Sequence, residues 1–437
     1  MAKYIVDGGV PLRGKVKIPG AKNAGFKLMI ASLLSDDMST LSNIPYIRDV
    51  IAVREIIGTL GGKVEIFDNT AQISGGVSKW QLPEELGLKS RASFMYLPVL
   101  LHRFKKAKVP VPVGDKIGDR PINWFLEGLQ KMGAKVKKGD GLIEASSTRG
   151  LVGTRYNFPK NSHTGTEALL MAASLAKGKT ILENAASEPE VDDLISFLNQ
   201  MGAKIKRGPE RAIEIEGANS LKGALHTVMP DRNETVTFGC MAIGTKGEIE
   251  VENANANHVK AFMEKVKHAG EIIEIKNSLK FVYKRGLKST NVTTSAYPGF
   301  MTDWQSLWTA LMTQANGEST VHETIFENRF GYVPNLVKMG GKIELYSPKV
   351  GNPEKVYNFE WDEQSSKLPH AAKISGPTRL LGGNLNISDI RAGATLVLAA
   401  LMAEGRSEIY GIEHLERGYD DLGGRLERLG ARIRKVD

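Results

Sequence analysis

A short glycine-containing segment recurs six times along the chain, and this repeat constrains the fold more than any other feature. The six copies are Leu60–Val64, Met132–Val136, Met201–Ile205, Ala269–Ile272, Met339–Ile343 and Leu429–Ile433. Their first glycines are spaced by about 70 residues, and only the last interval is longer, at about 90 residues. Such regular spacing indicates that one structural unit is repeated six times.

Apolar residues precede each of these glycines at helical spacing. Before Gly133, for example, they are Met132, Leu129, Phe125 and Ile122. A stripe of this kind predicts an amphipathic helix with one buried face. We expect the glycine to end the helix in a left-handed conformation, with a short strand after it.

Each unit also contains a second segment of small and apolar residues, which predicts a helix buried on most sides. These segments are 24–34, 92–101, 166–176, 235–243, 304–312 and 393–402. The sequence therefore predicts an α/β protein of six repeated units. Because 437 residues exceed the size at which a single core stops growing, we expect two domains of three units each. The alternative architecture is a solenoid.

Composition restricts the class of protein. The net charge of +9 comes without a long basic run or an aromatic-interleaved basic strip, so we expect no nucleic-acid partner. The single cysteine, Cys240, excludes an internal disulfide and a cysteine-rich metal site. The N-terminus has no apolar signal segment, and the longest strongly apolar stretch, Thr395–Ala403, is too short to span a membrane. We therefore expect a cytoplasmic protein.

Charged residues gather at two places in the repeat. The first place is just before the buried helices, where Lys22, Arg91, Lys160, Asp231, Arg232, Asp303, Asp389 and Arg391 lie. The second place is the strand-to-helix turns, which carry Arg48, Arg120, Glu188, Arg329 and Arg417. Cations at helix N-termini favour anions, although the aspartates alone could be simple N-caps. The pattern predicts substrates that carry phosphate or carboxylate groups.

At these residues the sequence resembles the UDP-N-acetylglucosamine enolpyruvyl transferases over nearly its whole length. The matching segments are Gly20–Ala24, Arg91–Ser93, Ile117–Pro121, Glu183–Glu190, Pro230–Thr235, Pro298–Gln305, Phe326–Phe330, Asp389–Ala392 and Arg417–Tyr419. Each motif is weak alone, but their order and spacing make the set specific. The resemblance implies a two-domain inside-out α/β barrel, or α/β prism. Residues 1–21 with 229–437 would form one domain, and residues 22–228 the other, with a mobile catalytic loop at about 111–121.

The resemblance also implies the reaction. The enolpyruvyl (1-carboxyvinyl) group of phosphoenolpyruvate would move to the 3-hydroxyl of UDP-N-acetylglucosamine, through a tetrahedral intermediate, with release of phosphate. This is the first committed step of peptidoglycan precursor synthesis, and so of bacterial cell wall biogenesis. The implied partners are these two small molecules. No metal or organic cofactor is implied, and neither is a membrane or a nucleic acid.

Site residues carry over by matching position. The implied catalytic residues are Lys22, Asp115, Asp303 and Arg391, and phosphoenolpyruvate would contact Lys22, Asn23, Arg120, Arg391 and Arg417. The nucleotide sugar would contact Asn23, Arg91, Arg120, Pro121, Ile122, Asn123, Trp124, Lys160, Ser162, His163, Asp303, Ile325 and Arg329. Glu188, Asp231 and Asp389 would support the site. Asp303 would deprotonate or orient the sugar hydroxyl.

Three departures from the family pattern have consequences. Asp115 stands where many members carry cysteine, so we expect insensitivity to fosfomycin-type epoxides, because a carboxylate is a poorer nucleophile than a thiolate. The segment Ser162–Thr166 differs from the usual sequence and leaves the nucleotide preference open. A polar insertion at about 347–375 lengthens the last repeat interval, and we expect a surface excursion there.

The sequence pattern leaves three other functions open. A shikimate-pathway enolpyruvyl transferase would share the fold and the chemistry, and the Lys22–Asn23 pair argues against it. An enolpyruvyl transferase of nucleoside-antibiotic synthesis would act on a uridine nucleotide. A non-catalytic paralogue could bind the UDP-sugar without turnover, but retention of Lys22, Asp115, Asp303 and Arg391 favours an enzyme.

Overall fold

The computed structural model describes residues 2–88, 91–112, 117–118, 121–268, 270–284 and 286–436. These residues form two compact units. We call residues 20–112 with 121–229 the N unit, and residues 2–19 with 117–118 and 230–436 the C unit. The chain passes from the C unit to the N unit after Pro19 and returns after Met229, and residues 117–118 between these two points also belong to the C unit.

Strands β1 (Lys3–Asp7) and β2 (Arg13–Lys17) belong to the C unit. The strands of the N unit are β3 (Ser39–Ser42), β4 (Lys63–Phe67), β5 (Thr70–Ser74), β6 (Lys106–Pro110), β7 (Lys135–Gly139), β8 (Leu142–Ser146), β9 (Arg155–Asn157), β10 (Lys179–Glu183), β11 (Lys204–Arg207), β12 (Ile213–Glu216) and β13 (Leu225–Thr227). Its helices are α1 (Lys22–Ser32), α2 (Arg48–Leu60), α3 (Glu84–Leu88), α4 (Tyr96–Phe104), α5 (Asn123–Lys131), α6 (His163–Ser174) and α7 (Pro189–Gln200).

The remaining strands and helices belong to the C unit. Its further strands are β14 (Glu248–Glu252), β15 (Gly270–Ile275), β16 (Ser278–Tyr283), β17 (Val292–Thr293), β18 (Gly317–His322), β19 (Lys342–Tyr346), β20 (Ala371–Gly376), β21 (Asn384–Asn386), β22 (Arg406–Tyr410) and β23 (Arg432–Val436). Its helices are α8 (Arg232–Gly244), α9 (Lys260–Val266), α10 (Thr302–Met312), α11 (Val333–Lys338), α12 (Pro353–Val356), α13 (Glu363–Ser366), α14 (Ile390–Met402) and α15 (Leu422–Arg428).

The strands form separate open sheets. The described strands of the N unit give the sheets β13-β3-β5-β4, β6-β8-β7 and β11-β12-β10-β9, and those of the C unit give β21-β22-β1-β23, β15-β16-β14-β2 and β17-β18-β20-β19. Most neighbours are antiparallel, and several sheets end in a short parallel strand, such as β13 beside β3. The predicted mixed α/β class is confirmed. The expected barrel does not close among the described strands, because each of their sheets has free edges and three or four strands.

The predicted buried helices are present and lie in two apolar cores, one in each unit. Helix α8 is buried along its whole length. The prediction for 92–101 was wrong in one respect, since a 3-10 helix over Arg91–Met95 precedes α4. The start of α4 at Tyr96 places Pro98 in the first turn, where its missing N–H breaks no helical hydrogen bond. None of the described helices is long and apolar enough to cross a membrane.

The repeated glycines differ in why they are needed. Gly61, Gly133, Gly202, Gly340 and Gly430 all have positive φ and follow a helix, as predicted. The prediction was wrong for Gly270, which begins β15 and has no positive φ. A Cβ at Gly270 would lie 2.3 Å from Cδ1 of Ile243 and 2.7 Å from the carbonyl oxygen of Val282. Glycine is required there for close packing against α8.

The insertion in the last repeat is shorter than predicted. Residues 371–376 form β20, which pairs with both β18 and β19 and so belongs to the sheet. The excursion before it carries α12, α13 and an aromatic cluster in which Tyr357 stacks on Trp361 with ring centroids 4.7 Å apart. Phe359 and His370 also contact Tyr357. The excursion is thus held by its own small core.

A buried ion pair joins two helices of the C unit. Glu234 of α8 accepts a hydrogen bond from Arg425 of α15, and both side chains are almost fully buried. Burial raises the pKa of Glu234 to about 7, against the opposing charge of Arg425. The carboxyl group therefore binds a proton at a higher pH in the folded chain than its usual value of 4.5.

Replacing Arg425 with methionine should destabilise the C unit by about 3–5 kcal/mol at pH 8, because it leaves a buried carboxylate without its partner. The loss should be smaller at pH 5. At pH 5 the carboxyl group of Glu234 is protonated in the folded state, so no buried charge is left without a partner. A group whose pKa is raised by folding stabilises the folded state below its unfolded pKa, and this contribution is lost as the pH rises through its folded pKa. Urea midpoints at both pH values measure this. The Glu234→Gln/Arg425→Met double variant should recover stability at pH 8, whereas equal losses at both pH values would contradict the assignment.

Candidate active site

Three charged side chains predicted for the site meet in the C unit. Asp303 lies in the first turn of α10, and its Oδ1 accepts hydrogen bonds from Nε of Arg391 at 3.1 Å and from Nη2 of Arg329 at 3.2 Å. Both donors converge on the same oxygen, and no described residue donates a hydrogen bond to Oδ2. The Asp303 side chain retains 22% exposure. One carboxylate oxygen is therefore held by protein, while the other receives no hydrogen bond from the described residues.

The charges around Asp303 keep it ionised. Burial alone would raise its pKa, but Arg391 and Arg329, with a smaller contribution from Arg232, lower the pKa of Asp303 to about 2. The same carboxylate and Tyr419 raise the pKa of Arg391 despite burial. Asp303 is thus an oriented anion at every working pH, and a weak proton acceptor while both arginines hold it.

The aspartates at the helix starts divide into two kinds. Asp231 and Asp389 are N-caps, since the side chain of Asp389 accepts from the backbone N–H of Arg391 at 2.9 Å and of Ala392 at 3.0 Å. Asp389 also lies 3.8 Å from Nη1 of Arg329. Asp303 is no cap, because the N-cap position of α10 is Met301. The capping alternative therefore holds for the two supporting residues and fails for the predicted catalytic one.

Tyr419 takes part in this cluster and was not assigned a role from the sequence. Its hydroxyl accepts a hydrogen bond from Nη1 of Arg391 at 3.3 Å and lies 2.8 Å from Oγ1 of Thr237. The tyrosine thereby holds Nη1 of the Arg391 guanidinium group, while Asp303 holds Nε. Arg417 ends the 3-10 helix Ile412–Arg417 two positions earlier.

Ile325 precedes Arg329 in a loop that a buried carboxylate organises. Oε1 of Glu323 accepts from the backbone N–H of Ile325 at 2.7 Å and of Phe326 at 3.1 Å, and its Oε2 accepts from Thr302 at 2.9 Å. Burial raises the pKa of Glu323. This carboxylate ties the Arg329 loop to the start of α10, and its role was not predicted.

In the N unit, the predicted residues again lie at helix starts. Lys22 is the first residue of α1, with Nζ 2.9 Å from Oδ2 of Asp49, and Asn23 follows it. Arg91 begins the 3-10 helix before α4. Pro121 and Ile122 lead into α5, which begins at Asn123 and Trp124.

The start of α6 carries the other predicted nucleotide contacts. Oγ of Ser162 accepts a hydrogen bond from the backbone N–H of Gly165 at 3.3 Å and caps the helix. Lys160 lies two residues before this cap, and His163 is the first helical residue. Glu188 occupies the N-cap position of α7, and its side chain accepts no capping hydrogen bond from the helix backbone.

Asp115 and Arg120 lie outside the described residues. On the C-terminal side of Asp115, the carbonyl oxygen of Ile117 accepts a hydrogen bond from the backbone N–H of Asn328 at 3.0 Å. Ile117 and Gly118 are therefore attached to the loop that carries Arg329. Within the described part of the chain, no three His, Cys, Asp or Glu side chains are grouped so that they could hold a metal ion.

Family membership follows from comparison with known proteins. The profile of EPSP synthase (3-phosphoshikimate 1-carboxyvinyltransferase) matches residues 6–426. The chain belongs to the EPSP synthase family. This family consists of carboxyvinyl transferases, so the predicted enzyme class is confirmed.

Two curated relatives align with the whole chain. The UDP-N-acetylglucosamine 1-carboxyvinyltransferase of Halothermothrix orenii is 40% identical over 438 residues, with 100% of each chain covered. The protein of the same name from Desulfosudis oleivorans is 41% identical over 438 residues, again with full coverage of both. The resemblance inferred from the motifs is confirmed.

Two solved structures share the fold of this chain. The enolpyruvyl transferase NikO from Streptomyces tendae has a TM-score of 0.87 at 21% identity, covering 100% of this chain and 99% of that one. An EPSP synthase from Acinetobacter baumannii has a TM-score of 0.72 at 16% identity, covering 100% of each chain. At such low identities these likenesses establish the fold alone.

Proposed function

We propose that the protein transfers the enolpyruvyl group of phosphoenolpyruvate to the 3-hydroxyl of UDP-N-acetylglucosamine and thereby starts peptidoglycan precursor synthesis. The observation that carries this proposal is the geometry of Asp303, whose Oδ1 is held by two arginines while Oδ2 is left to a ligand. An oriented anion of this kind suits a sugar hydroxyl that must lose a proton. The curated relatives named above are UDP-N-acetylglucosamine 1-carboxyvinyltransferases and favour this acceptor over shikimate 3-phosphate.

The reaction is an addition followed by an elimination. In the addition, the sugar oxygen bonds to carbon 2 of phosphoenolpyruvate, its proton leaves toward Asp303, and carbon 3 gains a proton from Asp115. In the elimination, carbon 3 loses a proton to the Asp115 carboxylate, the double bond re-forms, and the carbon–oxygen bond to phosphate breaks with its electron pair on phosphate, which takes the proton held by Asp303. Both steps need a positioned acid or base and cations that stabilise developing negative charge.

The cationic residues are assigned to the two substrates. Lys22, Asn23, Arg120, Arg391 and Arg417 would bind phosphoenolpyruvate. The helix starts at Arg91, Pro121–Trp124 and Lys160–His163, with Ile325 and Arg329, would bind the nucleotide sugar, because helix N-termini favour phosphate groups. When an anionic substrate engages Arg391, the carboxylate of Asp303 loses part of its stabilisation and becomes a stronger base. The contact between Arg391 and Asp303 would thus couple substrate binding to proton transfer.

Two further features belong to this proposal. The six repeated units would form an α/β prism. Residues 1–21 and 229–437 would lie in one domain, and residues 22–228 in the other. The protein would act in the cytoplasm, where both proposed substrates would be available to it. The loop at about 111–121 would close over the substrates.

Phosphate release from phosphoenolpyruvate tests the function. Release should require UDP-N-acetylglucosamine and should not occur with shikimate 3-phosphate or with a uridine nucleotide that lacks the sugar. A shikimate 3-phosphate-dependent signal would identify the shikimate-pathway reaction, and release with the nucleotide alone would identify a nucleoside-modifying enzyme. Binding of the nucleotide sugar without release would identify a non-catalytic paralogue.

A further inference from the structure

Two buried ionisable side chains in the N unit have no part in the proposed reaction. Lys27 of α1 is 2% exposed and Glu167 of α6 is fully buried, and the two form an ion pair. A buried pair of this kind is weak evidence for added stability, because apolar residues of similar volume often do as well.

His163 joins this pair at the start of α6. Its Nε2 lies 3.3 Å from Oε1 of Glu167 and 3.4 Å from Nζ of Lys27, so this nitrogen faces inward. The side chain keeps 23% exposure, and no described residue forms a hydrogen bond with Nδ1. Nδ1 is thus the ring nitrogen that remains for a ligand at the helix start.

Charge balance around His163 favours the imidazolium form. Glu188 is 5% exposed, and its Oε2 has no hydrogen-bond partner among the described residues. With Lys27, Glu167 and Glu188 ionised, the group carries one excess negative charge, which a protonated His163 would neutralise. Burial opposes protonation most strongly and Lys27 opposes it too, but the carboxylates of Glu167 and Glu188 prevail and raise the pKa of His163.

The other elements packed on α6 add titratable groups that already have partners. Lys22 of α1 pairs with Asp49, His102 of α4 bonds the carbonyl of Ala172, and Glu127 of α5 accepts from Tyr156. Helix α7 contributes Glu190 in its first turn. A further cation, Lys160, lies ahead of the Ser162 cap. The groups that act most directly on His163 are therefore Lys27, Glu167 and Glu188.

We propose that His163 is a proton-linked specificity residue, which takes up a proton when the diphosphate of the nucleotide sugar binds at the start of α6. This inference rests on the proposed function. The capped helix start offers backbone N–H groups and a positive dipole to an anion, and an imidazolium at the first helical position adds a full charge. Since the anion and the proton stabilise each other, each must raise the affinity for the other.

Isothermal titration calorimetry with UDP-N-acetylglucosamine tests this linkage. Between about pH 6 and pH 9, the dissociation constant should rise with pH, by at most about tenfold per pH unit for one linked proton. Titrations in two buffers with different ionisation enthalpies should show net proton uptake. Uridine, which lacks the diphosphate, should show none. Both phosphates of the nucleotide sugar are esterified, so the ligand itself does not titrate in this range.

Variants separate the linkage from a structural role. His163→Val and His163→Gln should both bind UDP-N-acetylglucosamine without proton uptake and with weak pH dependence. Two variants are used because one of them could fail to fold. Lys27→Met removes a charge that opposes protonation, so it should move the midpoint of the pH dependence to higher pH. A purely structural role for Lys27 would leave that midpoint unchanged.

The outcomes distinguish this inference from the function it rests on. Binding by the unmodified protein that is independent of pH and of buffer would overturn the linkage, even if phosphate release with the nucleotide sugar is observed. An unshifted midpoint in Lys27→Met would overturn the assignment to the Lys27–Glu167–His163 group. Absence of both binding and phosphate release at every pH would overturn the proposed function itself.

Discussion

Replacing Asp303 with asparagine should lower kcat by about 10²–10⁴-fold, because the reaction loses its anionic proton acceptor while the side-chain shape is kept. The KM for UDP-N-acetylglucosamine should change far less, since the amide oxygen can still receive Arg391 and Arg329. Steady-state phosphate release measures both constants. With a pKa of about 2 in the free protein, the ionisation of Asp303 should not appear above about pH 4 in the pH profile of kcat/KM, which reports the free enzyme.

Stability needs a separate control, because the Asp303→Asn variant leaves two buried arginines without their anion. Arg425→Met breaks a different buried ion pair of the same unit, between α15 and α8. It should lose comparable stability but keep kcat within about threefold when measured on folded protein. A similar fall in kcat for both variants would mean that general destabilisation, and not proton transfer, explains the effect at Asp303.

Replacing Asp115 with alanine should slow turnover by about 10²–10⁴-fold, the contribution expected of a positioned general acid. The proposed role is delivery of a proton to carbon 3 of phosphoenolpyruvate. Solvent deuterium exchange into the methylene group reports that step directly and should fall with kcat. Unchanged exchange in Asp115→Ala would assign the proton to another residue.

The Asp115→Cys variant is the matched comparison, because it restores the residue type that many relatives carry at this position. The unmodified protein should resist time-dependent inactivation by fosfomycin, whereas the variant should be labelled covalently at the introduced thiol, since a thiolate opens an epoxide far faster than a carboxylate. Cys240 is fully buried, and burial raises its pKa, so it should not react. Labelling of Asp115 in the unmodified protein would contradict the proposed insensitivity.

Helix positions could be predicted from the sequence because their signals are local. The apolar stripe before Gly202 and the glycine itself mark α7 and its end, and φ at Gly202 is +105°. The same signal was wrong at Gly270, since a glycine needed for space and one needed for a left-handed turn look identical in sequence. What distinguishes them is the distance to Ile243, which only the folded chain provides.

Site residues were harder to predict where their role depends on a partner. Asp231, Asp303 and Asp389 all stand at helix starts, and only the position of the N-cap separates the two caps from the catalytic candidate. Lys27 and Glu167 are 140 residues apart, so nothing local marks them as a pair. Each is an ionisable residue within an otherwise apolar helix, and that local signal does not identify its partner.

The position of β1 sets an order for biosynthesis. Lys3 pairs with Tyr410 on one side and with Val436 on the other, so β1 is enclosed by the last two strands of the chain. The N unit, by contrast, joins β3 to β13 through Thr40 and Leu225. On the ribosome, the N unit has all its strands once residue 229 has emerged. The first strand translated must wait for nearly the last, which leaves its edges open to mispairing until the C-terminal strands arrive.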